Sequence, residues 1–137
     1  MCLPSPGGIL SSVALRCVIV DDSGGFQDAA RSLLERDAIE VVGVAANSAQ
    51  ARSRVAELHP DVVLVDIALG KESGLELART LASEDPAKLI LISTHLEADF
   101  ADLIAASPAV GFIAKTEFSA RAVRDLLADG DGRGARR

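Results

Sequence analysis

Hydrophobic and polar positions alternate between two periods along this chain. Short, nearly unbroken apolar runs occur at 15–20, 40–44, 61–65, 89–92 and 110–113. Between them, apolar residues recur at helical spacing. The first set is Phe26, Ala29, Ala30, Leu33 and Leu34; the second is Ala51, Val55 and Leu58; the third is Leu75, Ala78, Leu81 and Ala82. A weaker, alanine-faced stretch spans about 97–106, and Ala120, Val123, Leu126 and Leu127 form the last set. Residues three and four apart share one helix face, whereas short continuous apolar runs suit strands buried on both faces. The punctuation agrees. Asn47 or Ser48 can cap the second helix and Pro60 stops it. Ser73 opens the third, Pro86 separates it from the next strand, and Ser119 caps the last. The pattern predicts a strand–helix unit repeated five times: an α/β fold whose parallel sheet is covered on both faces through right-handed crossovers.

Composition narrows the class. With 137 residues, 49% of them apolar, the chain can bury one sizeable core. It has four Phe and neither Trp nor Tyr, so that core is aliphatic. The net charge of −6 disfavours a nucleic-acid-binding face, which needs to be basic. Cys2 and Cys17 form no metal or disulfide framework, and Cys17 reads as a small core hydrophobe. No apolar stretch approaches the ~20 residues of a membrane span. Residues 1–13, broken by Pro4, Pro6, Gly7 and Gly8, lack the pattern of a signal peptide and read as a flexible extension. The expected domain covers 14–129, followed by a Gly-rich, charged, disordered tail at 130–137, in a cytoplasmic protein.

The chemistry lies at the ends of the runs. Asp21 and Asp22 follow the first, and Asp66 follows the third. If those runs are neighbouring parallel strands, three carboxylates meet at one sheet edge. They repel there, and a hard cation such as Mg²⁺ is their natural counter-ion. Ser93 and Lys115 fall at the same carboxyl edge, where open α/β sheets place their sites.

This ordered set resembles the receiver domain of two-component response regulators. The resemblance rests on Asp21-Asp22, on Asp66 closing Pro60-Asp61-Val62-Val63-Leu64-Val65-Asp66, on Gly74-Leu75-Glu76-Leu77, on Ser93, and on Lys115 closing Gly111-Phe112-Ile113-Ala114-Lys115. It implies a flavodoxin-like three-layer sandwich, a doubly wound (βα)5 fold with strand order 2-1-3-4-5. It implies that Asp66 accepts a phosphoryl group from a sensor histidine kinase or phosphotransfer protein. Mg²⁺ would be held by Asp21, Asp22, Asp66 and the backbone carbonyl of Ala68, while Lys115 and Ser93 would bind the phosphoryl oxygens. Ser93 and Phe112 would be the switch, and the fourth helix, fifth strand and fifth helix the face read by a downstream protein. Homodimerisation on phosphorylation is a further expectation. Contact with nucleic acid or membrane is not expected.

Five positions depart from the family pattern or tune it. Gly70 replaces a usual proline, implying a more flexible loop from 68 to 73. Thr94 is larger than the usual residue and should restrict water, and Thr116 replaces another usual proline. Ala68 and His95, with Thr94, are the expected rate-tuning positions. Rival readings are the receiver part of a DNA-binding transcriptional regulator, a pseudo-receiver that is never phosphorylated, and a Mg²⁺-dependent phosphohydrolase. The last needs an acid two residues after the nucleophile, where this chain has Ala68, so a signalling domain rather than an enzyme is expected.

Overall fold

The computed structural model describes residues 15–94 and 101–133, excepting the side chains of 129–133. Five strands alternate with five helices: β1 (Leu15–Val20), α1 (Gly24–Arg36), β2 (Ile39–Ala45), α2 (Ser48–Leu58), β3 (Val62–Asp66), α3 (Gly74–Glu84), β4 (Lys88–Ser93), α4 (Ala101–Ala106), β5 (Gly111–Ala114) and α5 (Ala120–Arg133). All strand pairs of the main sheet are parallel, in the order β2-β1-β3-β4-β5. This is the doubly wound, flavodoxin-like sandwich that the resemblance implies, built on the five strand–helix units that the alternating pattern predicts.

Strand periodicity divides the core into two layers. Cys17, Ile19, Val62, Leu64, Ile90 and Ile92 face one side and pack against Ala30 and Leu34 of α1 and Ala120 and Val123 of α5. Val18, Val20, Val63, Val65, Leu89 and Leu91 face the other and meet Ala51 and Val55 of α2 and Leu75, Ala78 and Leu81 of α3. Burying each Val, Leu or Ile contributes about 1.5–3 kcal/mol. Cys17 is fully buried, and burial pushes its thiol pKa up, which keeps it an inert core residue. Ala29 and Ala82, counted on apolar faces, are exposed, and Leu77 is buried instead.

Capping fixes where the helices begin. Ser23, Asn47 and Ser73 are N-caps whose side chains accept hydrogen bonds from the backbone N–H three residues on. Ser119 accepts similarly from Ala122 N–H. The last helix continues to Arg133, beyond the end near 128 that the apolar pattern suggested. The expected extension at 1–13, the end of the expected tail at 134–137, and the start of the alanine-faced segment lie outside the described residues. The described part of α4 has no fully buried residue and exposes Leu103, in keeping with a lightly packed element.

Two glycines are required by close approach. A Cβ at Gly74 would lie 1.9 Å from the backbone oxygen of Asp66, so α3 starts against the backbone that carries that carboxylate. A Cβ at Gly111 would meet the tip of Leu126, 2.4 Å away. Backbone cannot yield as a side-chain tip can. Gly111→Ala should therefore cost about 1 kcal/mol and Gly74→Ala about 3 kcal/mol or more, the upper end of overpacking costs. Urea unfolding of both variants checks the ranking, and equal losses would refute it.

Candidate functional site

The carboxyl ends of β1, β3 and β5 converge on one group of charges. β1 lies between β2 and β3, so Asp21, the first residue after β1, comes beside Asp66, the last residue of β3. Both are almost fully buried, and Asp22 is exposed. Carboxylate oxygens of Asp21, Asp22 and Asp66 lie within 4.8 Å of one another. Lys115, the first residue after β5, reaches across to them. Its Nζ is 2.6 Å from Asp21 Oδ2 and 3.0 Å from Asp66 Oδ2, with 13% of the side chain exposed.

Backbone amides hold the two buried acids from behind. Asp21 Oδ1 accepts from Ser23 N–H at 2.7 Å, and Asp66 Oδ1 accepts from Ala68 N–H at 3.1 Å. The Gln27 side chain donates to the backbone oxygen of Asp21, so the first turns of α1 grip the end of β1 at two points. Asp21 Oδ2 is different. It is fully buried, and its compensation among the described residues is the Lys115 ammonium, with no backbone or other side-chain donor beside it. A buried anionic oxygen of this kind is costly unless compensated.

The electrostatics follow from this packing. Burial raises the Asp66 pKa above the ordinary carboxylate value, and the nearby Asp21 charge adds to the rise. The contacts from Lys115 and Ala68 N–H pull the other way without cancelling it. For Lys115 burial pulls the pKa down, but contacts with Asp21 and Asp66 outweigh it and leave the ammonium pKa raised. Two buried carboxylates thus share one ammonium, with a third, Asp22, close by. Their oxygen-only donor set and short separation suit a hard divalent cation such as Mg²⁺.

The remaining expected positions arrange themselves around this centre. Ser93 closes β4 and is 1% exposed, between β3 and β5 in the sheet. Thr94 and Ala68 are exposed beside it in sequence and at the rim respectively; His95 lies outside the described residues. Phe112 is half-buried on β5, opposite Leu91 of β4, and packs on the α2–α3 side of the core. Thr116 is exposed in a 3-10 turn, Lys115–Glu117. The segment from 68 to 73 forms a small antiparallel ribbon, Ala68–Leu69 against Glu72–Ser73. Gly70 turns this ribbon with φ +61°, a value that proline, fixed near −65°, cannot adopt. The ribbon is also tied to α2, because Glu72 accepts from Ser48 N–H at 2.8 Å. Gly70 therefore serves a defined turn in a tethered ribbon rather than a slack loop.

Two residues beside the centre were not singled out from sequence. Lys115 Nζ lies 4.6 Å from the centre of the Phe26 ring, and Phe26 meets Phe118 in a T-shaped contact with ring centres 5.4 Å apart. Their signal was present: in a chain with only four aromatics, Phe26 follows Asp22 by four positions and Phe118 follows Lys115 by three. Helical spacing made Phe26 look like ordinary core.

Comparison with known proteins agrees with this arrangement. The family model of the response regulator receiver domain matches residues 17–127. A putative transcriptional regulator from Pseudomonas aeruginosa is 34% identical over 103 residues, covering 74% of this chain and 50% of that protein. A protein-glutamate methylesterase/protein-glutamine glutaminase from Syntrophomonas wolfei is 34% identical over 113 residues, covering 82% of this chain and 32% of that protein. The chain thus spans half or less of the length of these curated relatives. Among solved structures, the signal receiver domain of the putative response regulator NarL from Mycobacterium tuberculosis superposes with a TM-score of 0.76 at 29% identity, covering 88% of this chain and 98% of that one. A LuxR-family two-component response regulator from Aurantimonas gives a TM-score of 0.77, also at 29% identity, over 88% and 87% of the two chains. With its doubly wound sheet and its acids gathered at the switch point in strand order, the chain belongs to the receiver domains of two-component response regulators.

Proposed function

We propose that this receiver accepts a phosphoryl group on Asp66 from a histidine kinase or phosphotransfer protein, and that Mg²⁺ is held by Asp21, Asp22, Asp66 and the backbone carbonyl of Ala68. The observation that carries this reading is the buried Asp66 carboxylate, backed by Ala68 N–H and paired with Lys115 beside two further acids. Mg²⁺ bound there would offset the carboxylate charge and draw charge from the transferring phosphoryl oxygens. An Asp66 oxygen forms the new bond to phosphorus while the phosphohistidine P–N bond breaks, and the imidazole departs with that electron pair. Lys115 meets the developing charge as a point cation, and the Ser93 hydroxyl donates to a second phosphoryl oxygen.

The raised Asp66 pKa supports this assignment. A carboxylate held mainly out of water, with a second acid beside it, gains more from an arriving cation than an exposed one does. Phosphorylation adds about −1.5 to −2 charges, which draws Ser93 inward and lets Phe112 turn toward the space behind it. The altered face is formed by α4, β5 and α5, where Phe112, Thr116, Ala122 and Leu126 already line a groove of about 450 Å³. A downstream protein or a second copy of the chain binds that face. The P. aeruginosa relative, a putative transcriptional regulator, supports a second reading, the receiver part of a DNA-binding transcriptional regulator. No helix among the described residues is long and apolar enough to cross a membrane, in line with a cytoplasmic role.

Acetyl phosphate with Mg²⁺ should add one phosphoryl group to the protein, and Asp66→Asn should abolish it. Intact-mass measurement decides the matter: an unmodified wild type, or a phosphorylated Asp66→Asn, contradicts the proposal. Thr94→Ala should shorten the phosphoryl lifetime several-fold by admitting water, as followed by phosphate release; an unchanged or longer lifetime argues against that role for Thr94.

The Asp66 shift also has a sign in stability. Because the folded-state pKa is raised, the native protein binds this proton more tightly than the unfolded chain does. Metal-free wild type therefore loses stability as pH rises through the window above the ordinary value of 3.8. Asp66→Asn cannot titrate there. Its stability relative to wild type should rise through that window in metal-free buffer, and added Mg²⁺ should reduce the difference. Denaturant midpoints measured across pH test both statements.

A further inference from the structure

We infer that Phe26 and Phe118 form an aromatic seat that positions Lys115 for its work at Asp66. This rests on the reading of Asp66 as phosphoacceptor. Lys115 carries a strongly hydrated ammonium on a flexible four-carbon stem, so nothing intrinsic to it favours one reach or direction. In this structure, two carboxylates bound the ammonium on one side, and the face of Phe26 lies 4.6 Å from it. The ring face carries the negative end of the aromatic quadrupole and attracts the cation while occupying space that water would otherwise fill.

The seat is anchored to the same groups it serves. Ser23 donates its N–H to Asp21 Oδ1 and accepts, through Oγ, from Phe26 N–H at 3.3 Å. One capping residue therefore sets both the orientation of Asp21 and the place of the ring over Lys115. From the other side, Phe118 ends the 3-10 turn that begins at Lys115, with Phe118 N–H donating to the Lys115 carbonyl. Phe118 is 9% exposed, and its T-shaped contact braces the half-buried Phe26. The lysine thus sits between acids that attract it and a ring that limits its retreat toward solvent. Phe26 is a positioning residue: it acts through Lys115.

The test uses the full chain with acetyl phosphate and Mg²⁺. Phe26→Leu, which keeps an apolar side chain without a π face, should slow phosphorylation about fivefold, the scale of one partly desolvated cation–π contact. Phe26→Tyr, which keeps the face, should hold the rate near wild type. A trifluorinated phenylalanine at position 26, which keeps the ring shape but drains its face of charge, should slow the reaction as Leu does; it covers the case in which Phe26→Leu folds poorly. In a Lys115→Met background, Phe26→Leu should cause no further loss. An unchanged rate in Phe26→Leu, equal losses in the Tyr and Leu variants, or an undiminished loss in the Lys115→Met background would each overturn the seat. If the wild type accepts no phosphoryl group, the phosphoacceptor assignment fails on its own. The seat is then judged by NMR: ring shielding of the Lys115 ε-methylene protons that disappears in Phe26→Leu supports it, and shielding that persists refutes it.

Discussion

One ammonium between two buried carboxylates organises this molecule. Lys115 leaves the edge strand β5, passes the end of β4, and meets Asp21 beyond β1 and Asp66 on β3. Charges taken out of water are tolerated only when paired and hydrogen-bonded. The lysine supplies the pairing, and the N–H groups of Ser23 and Ala68 supply hydrogen bonds. The pairing is incomplete, since the lysine bridges Asp21 and Asp66 while Asp22 brings a third carboxylate within 4.8 Å of both. The Mg²⁺ and phosphoryl group of the proposed function would act on that residual imbalance.

Backbone packing makes the arrangement rigid where the chemistry needs it. Gly74 lets α3 start in contact with the Asp66 carbonyl, and Gly70 turns the short ribbon that Glu72 ties to the start of α2. Fixing the backbone in this way leaves Asp66 little freedom to retreat from its neighbours. The repulsion among these acids is electrostatic, and the proposed Mg²⁺ would offset it. By contrast, α4 buries none of its described residues fully and presents Leu103 outward. A rigid centre beside a lightly held helix is the mechanical contrast a switch requires, because packed cores have discrete arrangements and loosely packed elements move at little cost.

Much of the fold was legible because its driving force is periodic. Continuous apolar runs such as Val62-Val63-Leu64-Val65 identify strands with both faces covered, and Asn47, Ser73 and Ser119 mark helix starts through short-range hydrogen bonds. Asp21, Asp22, Asp66, Ser93 and Lys115 were legible as a group because each lies at a strand's carboxyl end, and the parallel topology brings such ends together. Ala29 and Ala82 were misassigned to the core because small alanines satisfy a helical pattern without being needed in the interior.

Gly70, Phe26 and Phe118 show where that reading stops. The missing proline at 70 suggested looseness, yet the backbone there needs a positive φ, which depends on the ribbon closing. Phe26 looked like ordinary core, yet the start of α1 places its ring by Lys115, with Phe118 braced against it. Local sequence, then, determined the elements, the two-layered core and the residue types at the strand ends, since periodicity, capping and burial act over a few residues. Tertiary structure alone decided which carboxylates the lysine bridges, which glycine must yield to a carbonyl and which ring covers the lysine. Those outcomes depend on distances of a few ångströms between segments far apart in the chain.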